Sequence, residues 1–157
     1  MRVYLADDHE IVRRGLADLL HQDGRCEVVG ECGSAVEACA RIPALHPDVA
    51  VLDGRLPDGS GMQVCREVRS VDPSIRCVIL TSYDDDEAML QAILAGAQAY
   101  LLKQIRGNDL IDVVLRVGER YLIVDYKTNR LGTPGEPLSA WDYRPESMAE
   151  AMMGAHY

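Results

Sequence analysis

Asp7-Asp8, Asp53, Thr81 and Lys103 each stand where a short apolar run stops. Val3-Tyr4-Leu5-Ala6 runs into Asp7-Asp8, and Val49-Ala50-Val51-Leu52 into Asp53. Val78-Ile79-Leu80 runs into Thr81-Ser82, and Tyr100-Leu101-Leu102 into Lys103. If the runs are strands of one parallel sheet, their ends share an edge, where ligands of open α/β sheets bind. Three carboxylates, a hydroxyl and an ammonium would then meet. Carboxylates packed this closely resist ionisation unless a cation joins them. Magnesium takes oxygen ligands and keeps several waters, which leaves room for a phosphoryl oxygen. Asp53 could then attack phosphorus as a carboxylate nucleophile and form an acyl phosphate. Mg²⁺ and Lys103 would neutralise the phosphoryl charge while Thr81 donates its hydroxyl to it.

The elements needed to bring these residues together are legible between residues 1 and 107. Strand patterns cover Val3–Ala6, Cys26–Glu31, Asp48–Leu52, Cys77–Thr81 and Ala99–Leu102. Helical spacing separates them. Ile11, Val12, Gly15, Leu16, Leu19 and Leu20 form one stripe, and Val36, Cys39, Ala40 and Pro43 a weaker one. Met62, Val64, Cys65 and Val68 form the third, and Ala88, Leu90, Ile93 and Leu94 the fourth. The third and fourth strands are apolar throughout, as expected where helices cover both faces of a parallel sheet. Breakers fall between the elements: Pro47, Pro57-Asp58-Gly59, Asp72-Pro73 and Gly96. Alternation of this kind predicts an α/β fold of right-handed crossovers with strand order 2-1-3-4-5, placing the first and third strands side by side.

Composition narrows the function classes. The chain has 157 residues, 48% hydrophobic and 26% charged, which is the profile of a globular protein. A net charge of −9 opposes binding to nucleic acid through a general field. Five cysteines without a C-x-x-C pair predict reduced, mostly buried thiols rather than a zinc site or a disulfide framework. No charged leader precedes an apolar stretch, and no run is long enough to span a bilayer. The expectation is a cytoplasmic protein with no membrane partner.

Residues 1–118 resemble the receiver domain of bacterial response regulators, in particular the NarL/FixJ type. Three segments carry the resemblance: Leu5-Ala6-Asp7-Asp8-His9-Glu10, Leu52-Asp53-Gly54-Arg55-Leu56-Pro57-Asp58-Gly59-Ser60-Gly61, and Ala95-Gly96-Ala97-Gln98-Ala99-Tyr100-Leu101-Leu102-Lys103. The resemblance implies a flavodoxin-like (βα)5 fold and a two-component phosphorelay. Asp53 would accept phosphoryl from a sensor histidine kinase. Asp8 would bind Mg²⁺ directly, Asp7 largely through water, and the Arg55 carbonyl would complete the protein ligands. Thr81 and Tyr100 would form the switch, acting on the face of helix four, strand five and helix five through which such domains dimerise or contact output modules. Such a domain is no enzyme beyond its own phosphorylation and dephosphorylation. Gly54 departs from the larger apolar residue usual after the phosphoacceptor, which predicts a looser loop, and Gln104 replaces a common proline. Arg55 and Tyr83 stand at positions that tune dephosphorylation in the family.

Single residues have plainer readings. Asp7-x-x-Glu10 fits a helix capping box. His9, His21 and His46 lack ligand spacing and read as surface or capping residues, and Arg13-Arg14 as a solvated face that also resembles the kinase-docking surface.

The segment 119–157 departs from the receiver pattern, with an expected strand over Arg120–Tyr126 and a helix with a methionine stripe over Pro145–Tyr157. NarL-type regulators continue into a DNA-reading helix-turn-helix, and no such pattern follows here; the resemblance implies transcription regulation as the normal output, but the DNA-binding domain is absent and nucleic-acid binding is not expected of this chain. Residues 120–132 instead resemble part of a RecB-type nuclease domain. Asp125 and Lys127 match its Asp-x-Lys, with Asp112 as the upstream acid. The expectation is an inactive fragment, a metal-dependent exonuclease remnant being the alternative. Residues 109–118 support either a strand or a helix, and the need to cover the sheet favours the helix.

Overall fold

The computed structural model describes residues 1–83 and 85–119. Its elements are β1 (Arg2–Ala6), α1 (Glu10–Asp23), β2 (Glu27–Cys32), α2 (Ala35–Leu45), β3 (Val49–Asp53), the two-residue strands β4 (Arg55–Leu56) and β5 (Gly59–Ser60), α3 (Gly61–Val71), β6 (Arg76–Thr81), α4 (Asp86–Leu94), β7 (Ala99–Leu102) and α5 (Gly107–Gly118). The five long strands form one parallel sheet in the order β2-β1-β3-β6-β7. This is the expected 2-1-3-4-5 arrangement of a flavodoxin-like fold.

Alternation along each strand divides the core between two helical layers. Val3, Leu5, Val49, Val51, Val78, Leu80, Ala99 and Leu101 face α1 and α5, where Leu20, Leu110, Ile111, Val114 and Val117 cover them. Tyr4, Ala6, Ala50, Leu52, Cys77, Ile79 and Tyr100 face α2, α3 and α4. Both faces being buried explains why β3 and β6 read as continuous apolar runs. Each fully buried Leu or Ile among them contributes about 1.5–3 kcal/mol. Ser34 and Ser60 accept from Glu37 N and Gln63 N and so start α2 and α3, and Asp85 accepts from Glu87 N to start α4.

Residues 109–118 are helix, as the favoured reading has it, so Asp112 lies exposed on α5 and not on the strand of the alternative. Other readings need correction. Asp7 makes no capping box; His9 is the residue at the N-cap of α1 and has no side-chain capping bond. Ile11 and Leu94 do not face the core, at 88% and 69% exposure, and Leu90 is also exposed. Helix α4 instead buries Ala92. Arg13 is no solvated residue: its side chain is mostly covered and donates to the Asp7 carbonyl at 2.6 Å, whereas Arg14 is exposed and paired with Glu10. All five cysteines are free, and four are buried. The strand expected over Arg120–Tyr126, the C-terminal helix, Asp125 and Lys127 lie outside the described residues.

Candidate functional site

Strand register builds the site. Ala6 pairs with Leu52, so Asp7 and Asp53 leave neighbouring strands side by side. Asp53 pairs with Leu80, and Thr81 with Leu102, which places Thr81 and Lys103 along the same edge. Backbone bonds extend the ladder past the strand ends, from Gly54 N to Leu80 O (3.2 Å) and from Lys103 N to Thr81 O (2.8 Å).

Lys103 is the electrostatic hub. Its Nζ lies 2.8 Å from Asp7 Oδ2 and donates to Asp53 Oδ2 at 3.0 Å. Asp7 and Asp53 are both buried, at 3% and 5% exposure. Burial pushes the Asp53 carboxyl above its usual range; the Arg55 N–H and Lys103 oppose the rise, and the charge of Asp7 adds to it. Burial alone would lower Lys103, but Asp7 and Asp53 outweigh it and hold the ammonium protonated, above the usual lysine value. Asp53 Oδ1 accepts from Arg55 N at 3.2 Å, and Asp7 Oδ1 from His9 N at 2.8 Å.

Asp7, Asp8 and Asp53 converge with His9, one donor atom from each lying within 4.8 Å of the others. Three hard carboxylate oxygens fit magnesium better than a softer ion. His9 is the member that sequence reasoning missed. Its Nδ1 stands 3.3 Å from Asp7 Oδ1, 3.2 Å from Asp8 Oδ1 and 4.0 Å from Asp53 Oδ2, on a largely exposed ring. The signal was its place directly after Asp7-Asp8.

The loop after Asp53 is held from two sides. Helix α3 begins against the end of β3 at Gly61, where a side-chain carbon would collide with the Asp53 carbonyl. The tip of the β4–β5 hairpin is anchored by Asp58, which accepts from Ala35 N (2.7 Å), Val36 N (3.0 Å) and Ser34 Oγ (2.8 Å) at the start of α2. These bonds, the Val36 and Ala35 amides foremost, lower the Asp58 carboxyl to about 2. The loop is therefore pinned, not loosened, despite Gly54.

Thr81 is buried, and its Oγ1 accepts from Tyr83 N at 3.2 Å. The Tyr100 hydroxyl donates to the Tyr83 carbonyl at 3.0 Å, with its ring buried behind the site. Arg55 lies across the Tyr83 ring, its Cζ 3.5 Å from the centroid. The site residues expected from the sequence on β1, β3, β6 and β7 thus stand together, and Tyr100 joins them through Tyr83.

A model of the response regulator receiver domain matches residues 3–115. The chain belongs to the response regulator receiver family. This receiver is 57% identical over 125 residues to the DNA-binding transcriptional activator DevR/DosR of Mycobacterium tuberculosis, covering 80% of this chain and 58% of that protein. It is 34% identical to the response regulator VraR of Staphylococcus aureus, covering 73% of this chain and 54% of the relative. The chain therefore spans little more than half the length of these relatives. Among solved structures, the signal receiver domain of the response regulator NarL of Mycobacterium tuberculosis superposes with a TM-score of 0.73 at 34% identity, covering 76% of this chain and 96% of that one. The receiver is a two-component signalling domain, a class that works with sensor histidine kinases and generally uses Mg²⁺ at an acidic pocket. Among the described residues, no helix is long and apolar enough to cross a membrane.

Proposed function

We propose that Asp53 is the phosphoacceptor of this receiver and that residues 1–118 form the switch unit, with 119–157 a separate segment. The observation that carries the proposal is the Lys103 ammonium bridging Asp7 and Asp53 beside a third carboxylate, Asp8. In the transfer, a carboxylate oxygen of Asp53 forms the new P–O bond as the P–N bond to a kinase histidine breaks. The departing imidazole keeps the electron pair and takes a proton from solvent. Asp7, Asp8, Asp53 and the Arg55 carbonyl would hold Mg²⁺, which supplies charge neutralisation for the phosphoryl oxygens when bound. Lys103, freed from its bridge to Asp53, pairs with a phosphoryl oxygen. Thr81 donates its hydroxyl to another. Because the Tyr83 amide and carbonyl are tied to Thr81 and Tyr100, a shift of Thr81 is felt at β7 and at α4 beside it.

The face of α4, β7 and α5 is the proposed dimerisation or output surface, and Leu90 and Leu94 supply exposed apolar area on α4. A cytoplasmic setting and a role in transcription regulation are proposed by likeness to the relatives. The charge of −9 opposes DNA binding by this chain itself.

Labelling by acetyl phosphate tests the reading. Mg²⁺-dependent incorporation of one acid-stable, base-labile phosphoryl group is expected in the wild type and none in Asp53→Asn. Equal labelling of both proteins, or of neither, refutes it.

A further inference from the structure

Arg13 stands in the first turn of α1, its N–H donating to His9 O at 2.9 Å. Side chains on a helix lean toward its N-terminus, so Arg13 reaches back over the residues that join β1 to α1. Its Nη1 donates to the Asp7 carbonyl at 2.6 Å, and its Nε to Glu31 Oε1 on β2 at 3.5 Å. The Arg13 side chain is 16% exposed, whereas that of Arg14 is 71% exposed and paired with Glu10. The Asp7 carbonyl belongs to the planar peptide that joins Asp7 to Asp8, and the tilt of that plane sets the direction in which the Asp8 side chain leaves the backbone. Asp7 has other anchors. Its N–H donates to Cys32 O at 3.0 Å, and its carboxylate accepts from His9 N and meets Lys103. Asp8 is exposed, and its carboxylate is met by the His9 ring at 3.2 Å. The charge-assisted bond from Arg13, of a kind about twice as strong as a neutral one, therefore falls on the peptide that aims the less anchored carboxylate.

We infer that Arg13 is a positioning residue for the metal site: its hold on the Asp7–Asp8 peptide aims the Asp8 carboxylate into the cluster with Asp7 and Asp53. This rests on the reading of Asp8 as a Mg²⁺ ligand. Two effects of the guanidinium oppose one another, and they predict opposite signs. As a fixed positive charge near a cation site it repels Mg²⁺, so its removal would by itself tighten binding. As the group that holds the peptide it favours binding, so its removal weakens it. Glu31 offsets part of the Arg13 charge, while a partner behind a ligand carries about 10- to 100-fold of metal affinity. Positioning is therefore the larger effect.

The test titrates Mg²⁺ into the full chain as wild type, Arg13→Met, Arg13→Gln and Arg14→Met, with backbone amide shifts as the readout and no phosphodonor present. The ¹⁵N shift of Asp8, whose N–H shares the peptide with the Asp7 carbonyl, reports the Arg13 bond before metal is added. Arg13→Met is expected to move that shift and to raise the half-saturating Mg²⁺ about tenfold. Arg14→Met removes the same charge from the exposed neighbour and is expected to stay within about twofold of wild type, because exposed charges are screened. Unchanged or tighter Mg²⁺ binding in Arg13→Met overturns the inference, as does an equal weakening in Arg14→Met. Glutamine suits a partly exposed position and is too short to reach the Asp7 carbonyl. If Arg13→Met does not fold, Arg13→Gln decides by the same criteria; if neither folds, Arg13 serves the fold as a whole and the inference is overturned. A wild type that binds no Mg²⁺ refutes the metal-site reading instead, so the two failures are distinct.

Discussion

Replacing Lys103 with methionine keeps most of the stem and deletes a charge held between two buried carboxylates. At an effective dielectric of about 20, contacts of 2.8 and 3.0 Å correspond to roughly 6 and 5.5 kcal/mol of gross attraction. Desolvation of the ammonium offsets much of this, so the measured loss is that of breaking a buried ion pair, about 3–5 kcal/mol. Exposed Asp8 and His9 bring water to the edge of the two buried carboxylates, which places the expected loss near the low end, about 3 kcal/mol, at neutral pH without metal. The loss must depend on pH. Asp53 already titrates above its unfolded value, and losing Lys103 raises it further. A raised folded value means that the site's contribution is fully present below about pH 4, the unfolded carboxylate range, and declines as pH climbs through the folded value. Magnesium should restore stability, by about 2.7 kcal/mol at a hundred times its dissociation constant. Urea melts of wild type and Lys103→Met at several pH values, with and without Mg²⁺, measure all three effects. A mutant equal to wild type at pH 7 without metal, and flat in pH, refutes the electrostatic account of the site.

Other perturbations probe the scaffold around it. Gly61→Ala forces a carbon onto the Asp53 carbonyl and should cost about 1–3 kcal/mol, read as a lower denaturation midpoint with slower acetyl phosphate labelling. Asp58→Asn weakens the anchor on α2. Because the Asp58 carboxyl is depressed to about 2, wild type should be the more stable above pH 4, and its advantage should shrink as pH falls toward 2, in thermal melts. Arg55→Ala uncovers the Tyr83 ring, and the phosphorylated form should lose its label several-fold faster in a chase experiment.

Much of this was visible in the order of residues. Four of the five strands announce themselves by an apolar run and its polar terminus, which is enough to place Asp7, Asp53, Thr81 and Lys103 on one edge. The helical covering of residues 109–118 followed from the need to bury one face of the sheet. What escaped were contacts fixed only by tertiary distance. His9 among the carboxylates depends on how α1 leaves β1, and Arg13 on the approach of the Asp7 carbonyl. Asp58 looked like a turn residue, because nothing local joins it to Ala35 and Val36. Ile11 and Leu94 fit their helical stripes in spacing, yet both stand exposed on their helices. Gly54 looked like a source of looseness, since its hydrogen bonds to Leu80 and Gly61 are not written in its neighbours.

The crossover topology has a consequence for when the switch can exist. Asp7 and Lys103 lie near opposite ends of the described fold, yet they are bonded through the same carboxylate pocket, with Asp53 on the strand between. Contacts so distant in sequence close only after the intervening chain is ordered, which makes them slow to form. A nascent or partly folded chain therefore holds isolated aspartates without their ammonium partner. Competence to receive a phosphoryl group arrives with the last strand, and the chemistry itself reports that folding is complete.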